Sequence, residues 1–186
     1  MIKILDGTQQ KGHSEVVPPT RTNMNQSEFK LRKRIKWVIA IFVFFLILSG
    51  VTAFPVETEL KWALQHLTWL PQSLFEYLQT VSNAVGETNA NYPFIAYGFD
   101  WLAFAHIVIG IAFIGPYRDP VRNIWIIEWA MICCVAIIPL AFICGPIREI
   151  PLYWTFIDCS FGVFGIIPLW YCRALIKRLE QITAGF

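Results

Sequence analysis

The sequence predicts an all-α integral membrane protein, a bundle of four spanning helices with both termini in the cytoplasm. Of its 186 residues, 56% are hydrophobic and 15% are charged, whereas a soluble domain carries about a quarter charged residues. The apolar residues are gathered into four runs, each long enough to cross a hydrocarbon core of about 30 Å as a helix. This pattern excludes a disordered chain and a soluble globular domain. The net charge of +2 gives no reason to expect nucleic acid as a partner.

The first span is predicted at residues 37–54, directly after a basic segment. Residues 1–36 hold eight of the fifteen Lys and Arg residues, and their first thirty residues lack apolar periodicity. We therefore expect 1–36 to be a flexible cytoplasmic arm. The KLRKRIK cluster at 30–36 has two interpretations, a signal that orients the first span or a site for lipid headgroups, and the orientation signal is the simpler one.

The next segment, residues 55–93, is expected outside the membrane. It contains two stretches in which apolar residues recur at helical spacing, which predicts two short amphipathic helices on the outer membrane surface, joined at 70–71. These residues are Leu60, Leu64 and Leu67 in the first stretch and Leu74, Leu78, Val81 and Val85 in the second. The polar sequence GETNANYP at 86–93 is expected to form a turn into the second span.

The remaining spans are predicted at 94–114, 124–144 and 152–172, followed by a basic tail at 173–186. These spans and the first make a membrane domain over 37–172. Basic residues are frequent before the first span, between the second and third, and in the tail, but the 55–93 segment contains only Lys61. Since Lys and Arg accumulate in cytoplasmic segments, both termini are expected inside, in a plasma membrane and most simply a bacterial inner membrane.

Three acidic residues lie within the spans, each close to the start of its helix, where the helix dipole disfavours a carboxylate least. Because a charge at lipid depth needs a partner or a wet interior, two ion-pair clusters are expected. The outer cluster comprises Asp100, Asp158 and Arg148, and the inner cluster comprises Glu128, Arg118 and Arg122. Helical phase places Asp158 on a packing face with Thr155, Gly162 and Gly165, and Asp100 beside a seam of Ala96, Ala103 and Gly110.

His106 is the histidine inside a span, and it invites two further interpretations. With Asp100 and Asp158 it could form a route for protons, since its ordinary pKa is about 6.5. It is also a candidate axial ligand for haem b, if Met131 or a second copy of His106 supplies the other ligand. A neutral histidine hydrogen-bonded to another helix is the simpler alternative, and neither a cofactor nor a metal site is predicted.

Three functions remain open. The first is a non-enzymatic structural or accessory subunit, whose buried charges fix helix assembly within the lipid bilayer, as a homo-oligomer or in a larger membrane complex. The second is a carrier or channel for protons or a small solute, and the third is a haem-binding redox subunit. The sequence contains no phosphate-binding loop, no G-x-S-x-G and no H-E-x-x-H motif, so enzymatic chemistry is not expected.

Overall fold

In a computed structural model, the backbone is described for residues 21–184 and the side chains for residues 26–184. The described chain is all helical, with seven helices in the following order: α1 (Arg21–Ala53), α2 (Val56–His66), α3 (Gln72–Asn91), α4 (Pro93–Ala112), α5 (Ile114–Arg118), α6 (Ile124–Ile147) and α7 (Leu152–Ala184). Four stretches are long and apolar enough to cross a membrane: Gln26–Ala53, Pro93–Arg118, Ile124–Ile147 and Leu152–Ala184. They contain the predicted spans, except that the first was predicted one residue longer, to Phe54.

The first and last helices of the described chain, α1 and α7, extend well beyond the predicted spans. α1 already begins at Arg21, so the part of the expected arm from residue 21 onward is helical, while residues 1–20 lie outside the described part of the chain. The reason is a stripe of apolar residues at i, i+4 spacing, Leu31, Ile35 and Ile39, which is buried in the same cluster as Ile176 and Leu179 of α7. Burying this stripe stabilises both extensions as helices.

α3 also differs from the prediction, because it runs through the expected polar turn as far as Asn91. The Asn91 amide donates to the Glu87 carbonyl, one turn earlier. The helix ends where Pro93 follows, since a residue before proline is driven out of the helical region, and Tyr92 has φ −139°. Pro93 then occupies the first turn of α4, where its missing N–H costs nothing.

The spanning helices form an open row in the order α4, α1, α7, α6. The extensive contacts among them are between α1 and α4, α1 and α7, and α6 and α7. Within the described residues, α4 makes no comparable contact with α6 or α7. α5 contacts both α1 and α6, and the buried apolar cluster lies at this level of the helices, with residues from α1, α6 and α7. The expected bundle is therefore open on the side where α4 and α6 would meet.

Candidate polar sites of the spanning helices

Asp100 lies near the start of α4 and is exposed. With Glu57, Thr58 and Asn89 it lines a cavity of about 210 Å³ between the end of α1, the start of α2 and α4. Among the described residues, Asp100 has no ion-pair partner. The side chain faces this polar groove at the end of the spanning part of α4.

Glu57 is the best-connected carboxylate of this region. Lys61 Nζ donates to its Oε1 at 2.6 Å, and Asn89 Nδ2 donates to its Oε2 at 2.6 Å. These two hydrogen bonds, followed by the charge of Lys61, hold the pKa of Glu57 below its ordinary value. The network ties the start of α2 to the end of α3. The i, i+4 spacing of Glu57 and Lys61 was a signal for their pairing, whereas the contact with Asn89, 32 residues away, had none.

His106 is half-buried at the crossing of α4 with α1. Its Nδ1 lies 2.8 Å from the Leu102 carbonyl of its own helix, so the simpler expectation, a hydrogen bond to a neighbouring helix, differs from the contact observed. A Cβ placed on Gly50 of α1 would lie 2.7 Å from the His106 Cβ and 2.9 Å from the Ala103 carbonyl oxygen. The glycine therefore allows the two backbones to approach closely at this level. Of the predicted seam on α4, Ala103 and Gly110 are buried and Ala96 is half-buried.

Asp158 is half-buried in the first turns of α7, close to an aromatic contact between α3 and α7. The Tyr77 ring of α3 lies 5.2 Å from the Trp154 ring and 6.3 Å from the Tyr153 ring. The Tyr153 hydroxyl donates to the Ser73 carbonyl at 3.3 Å. Burial, then the charges of Tyr153 and Asp158, raise the pKa of the Tyr77 phenol above its ordinary value. Asp158 is thus within electrostatic reach of a phenol from α3.

The predicted outer cluster of Asp100, Asp158 and Arg148 is not assembled in the described chain. Arg148 is exposed at the end of α6, where its backbone N–H caps the helix by donating to the Cys144 and Gly145 carbonyls. Its guanidinium has no ion-pair partner among residues 26–184. The two aspartates lie on α4 and α7, which α1 separates.

The inner cluster has different members from those expected. Glu128 Oε1 accepts a hydrogen bond from Arg173 Nε at 2.8 Å, which joins α6 to α7 across 45 residues. Arg118 is exposed at the end of α5, and Arg122 contributes its backbone N–H, which donates to Asp119. The described chain therefore does not pair Glu128 with Arg118 or Arg122: Arg118 ends α5, Arg122 lies between α5 and α6, and the partner of Glu128 comes from α7. Arg173, assigned to the basic tail, is the residue that sequence reasoning missed.

The predicted packing face of α7 is confirmed. Thr155 and Gly162 are buried, and a Cβ on Gly165 would contact the Cys134 sulfur at 3.0 Å. A Cβ on Gly162 would overlap the Cys134 carbonyl oxygen, so α6 and α7 touch backbone to backbone here. Small residues permit such close helix contacts in membranes.

Comparison of the chain with models of protein families, with curated proteins and with solved structures finds no match. Asp100 and His106 lie on α4, Asp158 on α7, and Met131 on α6. Since α4 contacts neither α6 nor α7 extensively, one chain does not bring His106 together with Asp158 or with Met131.

Proposed function

We propose that the protein is a non-enzymatic accessory subunit of a membrane assembly, in which charges of the spanning helices fix how the helices associate. The observation that carries this proposal is the Glu128–Arg173 pair between α6 and α7. Both side chains are about 40% exposed, so the pair contributes on the order of 1 kcal/mol or less in water. At the edge of a bilayer, leaving either charge unpaired costs more.

The open row of helices supports an assembly rather than a self-contained unit. α4 and α6 stand at the two ends of the row, and each packs extensively on one other spanning helix. Their remaining surfaces are covered with exposed large apolar side chains, such as Trp101 and Phe104 on α4 and Ile132 and Leu140 on α6. Such surfaces suit contact with lipid, with a second copy or with a larger membrane partner.

The topology proposed for this subunit rests on charge. Basic residues are concentrated before the first span and after the fourth, and the segment 55–93 contains Lys61 as its one Lys or Arg. Both termini then lie in the cytoplasm, and α2 and α3 lie on the outer surface of a plasma membrane, most simply a bacterial inner membrane.

The alternatives of a carrier and a haem subunit receive less support from this geometry. A proton route through Asp100, His106 and Asp158 needs α4 and α7 to share a cavity, and α1 lies between them. Haem ligation by His106 needs a second axial ligand, which a second copy of the chain would have to supply.

The test combines charge exchange with a measurement of assembly. Glu128→Arg and Arg173→Glu are made singly and together, and particles extracted from the membrane with their lipid are weighed by mass photometry. We expect particles heavier than one chain of 21.4 kDa, loss of those particles in each single variant, and recovery in the double variant. Lys177→Glu and Glu180→Lys form the matched control, because this exposed pair lies within one helix.

Two results would contradict the proposal, one from protein reconstituted in liposomes and one from purified protein. A single-chain particle that moves protons across liposomes, with the flux abolished by Asp158→Asn, would establish the carrier instead. A Soret band in the purified protein that His106→Ala removes would establish the haem subunit.

A further inference from the structure

The exposed face of α1 at residues 29–37 is basic and aromatic. Leu31 and Ile35 are buried on one side of the helix, and the cationic side chains occupy the other side. This set comprises Lys30, Arg32, Lys33, Arg34 and Lys36. Trp37 follows one turn after Lys33 and is 62% exposed. A tryptophan beside a group of lysines and arginines is typical of the membrane–water interface.

Two open grooves flank this face of α1, and Lys33 and Trp37 line both. The first has a volume of about 530 Å³ and is lined also by Arg32, Lys36 and Tyr117 of α5. The second has a volume of about 390 Å³ and is bounded by Tyr171 of α7. Lys30 and Arg34 line the second groove. Each groove thus combines three cationic side chains with tryptophan and tyrosine.

The cations of these grooves are mostly unneutralised by the described chain. Arg32 Nε donates to Glu28 at 2.8 Å. Lys30, Lys33, Arg34 and Lys36 have no carboxylate partner among residues 26–184. The Lys36 ammonium lies 5.4 Å from the centre of the Tyr117 ring, a cation–π distance that directs this lysine toward the first groove.

On the C-terminal side of the grooves, α1 exposes apolar side chains. Ile41, Phe44 and Phe45 are each more than half exposed and follow Trp37 along the spanning helix. A molecule that fits both regions carries a negative headgroup next to hydrocarbon chains. Lysine and arginine at such a position extend their charged ends to the headgroup level.

We propose that the two grooves on either side of Lys33 bind the phosphate headgroups of anionic phospholipids, with the acyl chains lying along α1 beyond Trp37. A signal that only orients the first span requires positive charges but no groove. A lipid site requires the grooves as well, and it distinguishes lipids by the charge of the headgroup. This lipid site does not depend on the accessory role, because it requires only that α1 spans the membrane and carries these side chains.

The test measures lipid binding to the full chain, purified in detergent, by native mass spectrometry. Phosphatidylglycerol and phosphatidylcholine with identical acyl chains are titrated separately. We expect phosphatidylglycerol to bind at lower concentration. One basic residue near an anionic surface contributes a factor of about five in affinity, so Lys33→Gln with Lys36→Gln should weaken phosphatidylglycerol binding about 25-fold. Phosphatidylcholine binding should not change.

The matched control is Lys177→Gln with Arg178→Gln, which removes two exposed cations of α7 that line neither groove. Phosphatidylglycerol binding to this variant should equal that of the unaltered chain. Should the groove variant fail to fold, as judged by its helical circular dichroism, the unaltered chain still provides a test. Raising the ionic strength from about 0.01 M to about 0.1 M shortens the screening length from roughly 30 to 10 Å and should weaken phosphatidylglycerol binding selectively.

Three results would overturn the proposal. Equal affinity for the two lipids would mean that the headgroup charge is not recognised. Unaltered phosphatidylglycerol binding in a folded groove variant would place the lipid elsewhere. Displacement of phosphatidylglycerol by an equal concentration of inorganic phosphate would mean that the site takes a free anion and that the acyl chains contribute nothing.

Discussion

Replacing Gly162 by alanine tests the closest contact between two spanning helices. The added Cβ would lie nearer to the Cys134 carbonyl oxygen than 3.0 Å, a separation below which a Cβ atom is essentially never found. The obstacle is helix backbone, which cannot rotate away as a side chain would. We therefore expect α6 and α7 to be pushed apart along their shared face.

The magnitude follows from two opposing effects. Overpacking costs typically 1–3 kcal/mol, and a clash with backbone belongs at about 3 kcal/mol. Alanine favours the helical backbone over glycine by about 1 kcal/mol. The net expectation is a loss of about 2 kcal/mol in the free energy of unfolding.

The assay is equilibrium unfolding by SDS titration in mixed micelles, followed by helical circular dichroism. The matched control is Gly98→Ala on α4, because a Cβ at Gly98 meets nothing within 4 Å. This control should gain up to about 1 kcal/mol from helix propensity alone. If Gly162→Ala is as stable as Gly98→Ala, then the backbones of α6 and α7 do not touch at Gly162.

Three further predictions concern other contacts. Gly50→Ala should destabilise the α1–α4 crossing in the same unfolding assay, because its Cβ would lie 2.7 Å from the His106 Cβ. Asn89→Ala should raise the pKa of Glu57 toward its ordinary value, measured by carbon NMR, since a donor to the carboxylate is lost. Because the contact lowers the pKa of Glu57 in the folded chain, it stabilises the fold at neutral pH, and this stabilisation disappears as the pH falls through that pKa. Asp158→Asn should lower the pKa of Tyr77, measured by ultraviolet titration, because a negative charge that raises it is removed, and an unchanged titration would separate α3 from this part of α7.

The positions of the spans were predictable from sequence because lipid imposes a simple requirement on length and polarity. Helical phase also identified the faces that pack, as the burial of Ala103 and Gly162 shows. The neighbour of each face was not predictable, since periodicity identifies a side of one helix and carries no information about its partner. For this reason Glu128 was expected near Arg118, and its contact with Arg173 became evident in the folded chain.

The ends of the helices escaped prediction for a different reason. Hydropathy marks where a helix leaves hydrocarbon, and the basic residues after Leu31 indicated such an end. Yet Leu31 and Ile35, which lie among these cations, belong to the buried cluster that α1 shares with α7, and they continue the helix through the charged segment. The i, i+4 spacing of Leu31, Ile35 and Ile39 is the signal in the sequence that extends the helix through this segment. The same spacing separates the buried face of the helix from its basic face.

The open row explains how a chain with a small buried core can hold four spanning helices. Its two longest helices, α1 and α7, are neighbours in the middle of the row. They bury an apolar stripe between them, at the level of the basic residues of α1. α4 joins this pair at Gly50 and α6 joins it at Gly162, both through close backbone contacts. Each end helix is thereby fixed along one face, and its other face contacts whatever surrounds the protein. Van der Waals packing and polar contacts, rather than expulsion of water, drive helix association in lipid. In the accessory role proposed above, a partner subunit would therefore make its contacts on these uncovered faces.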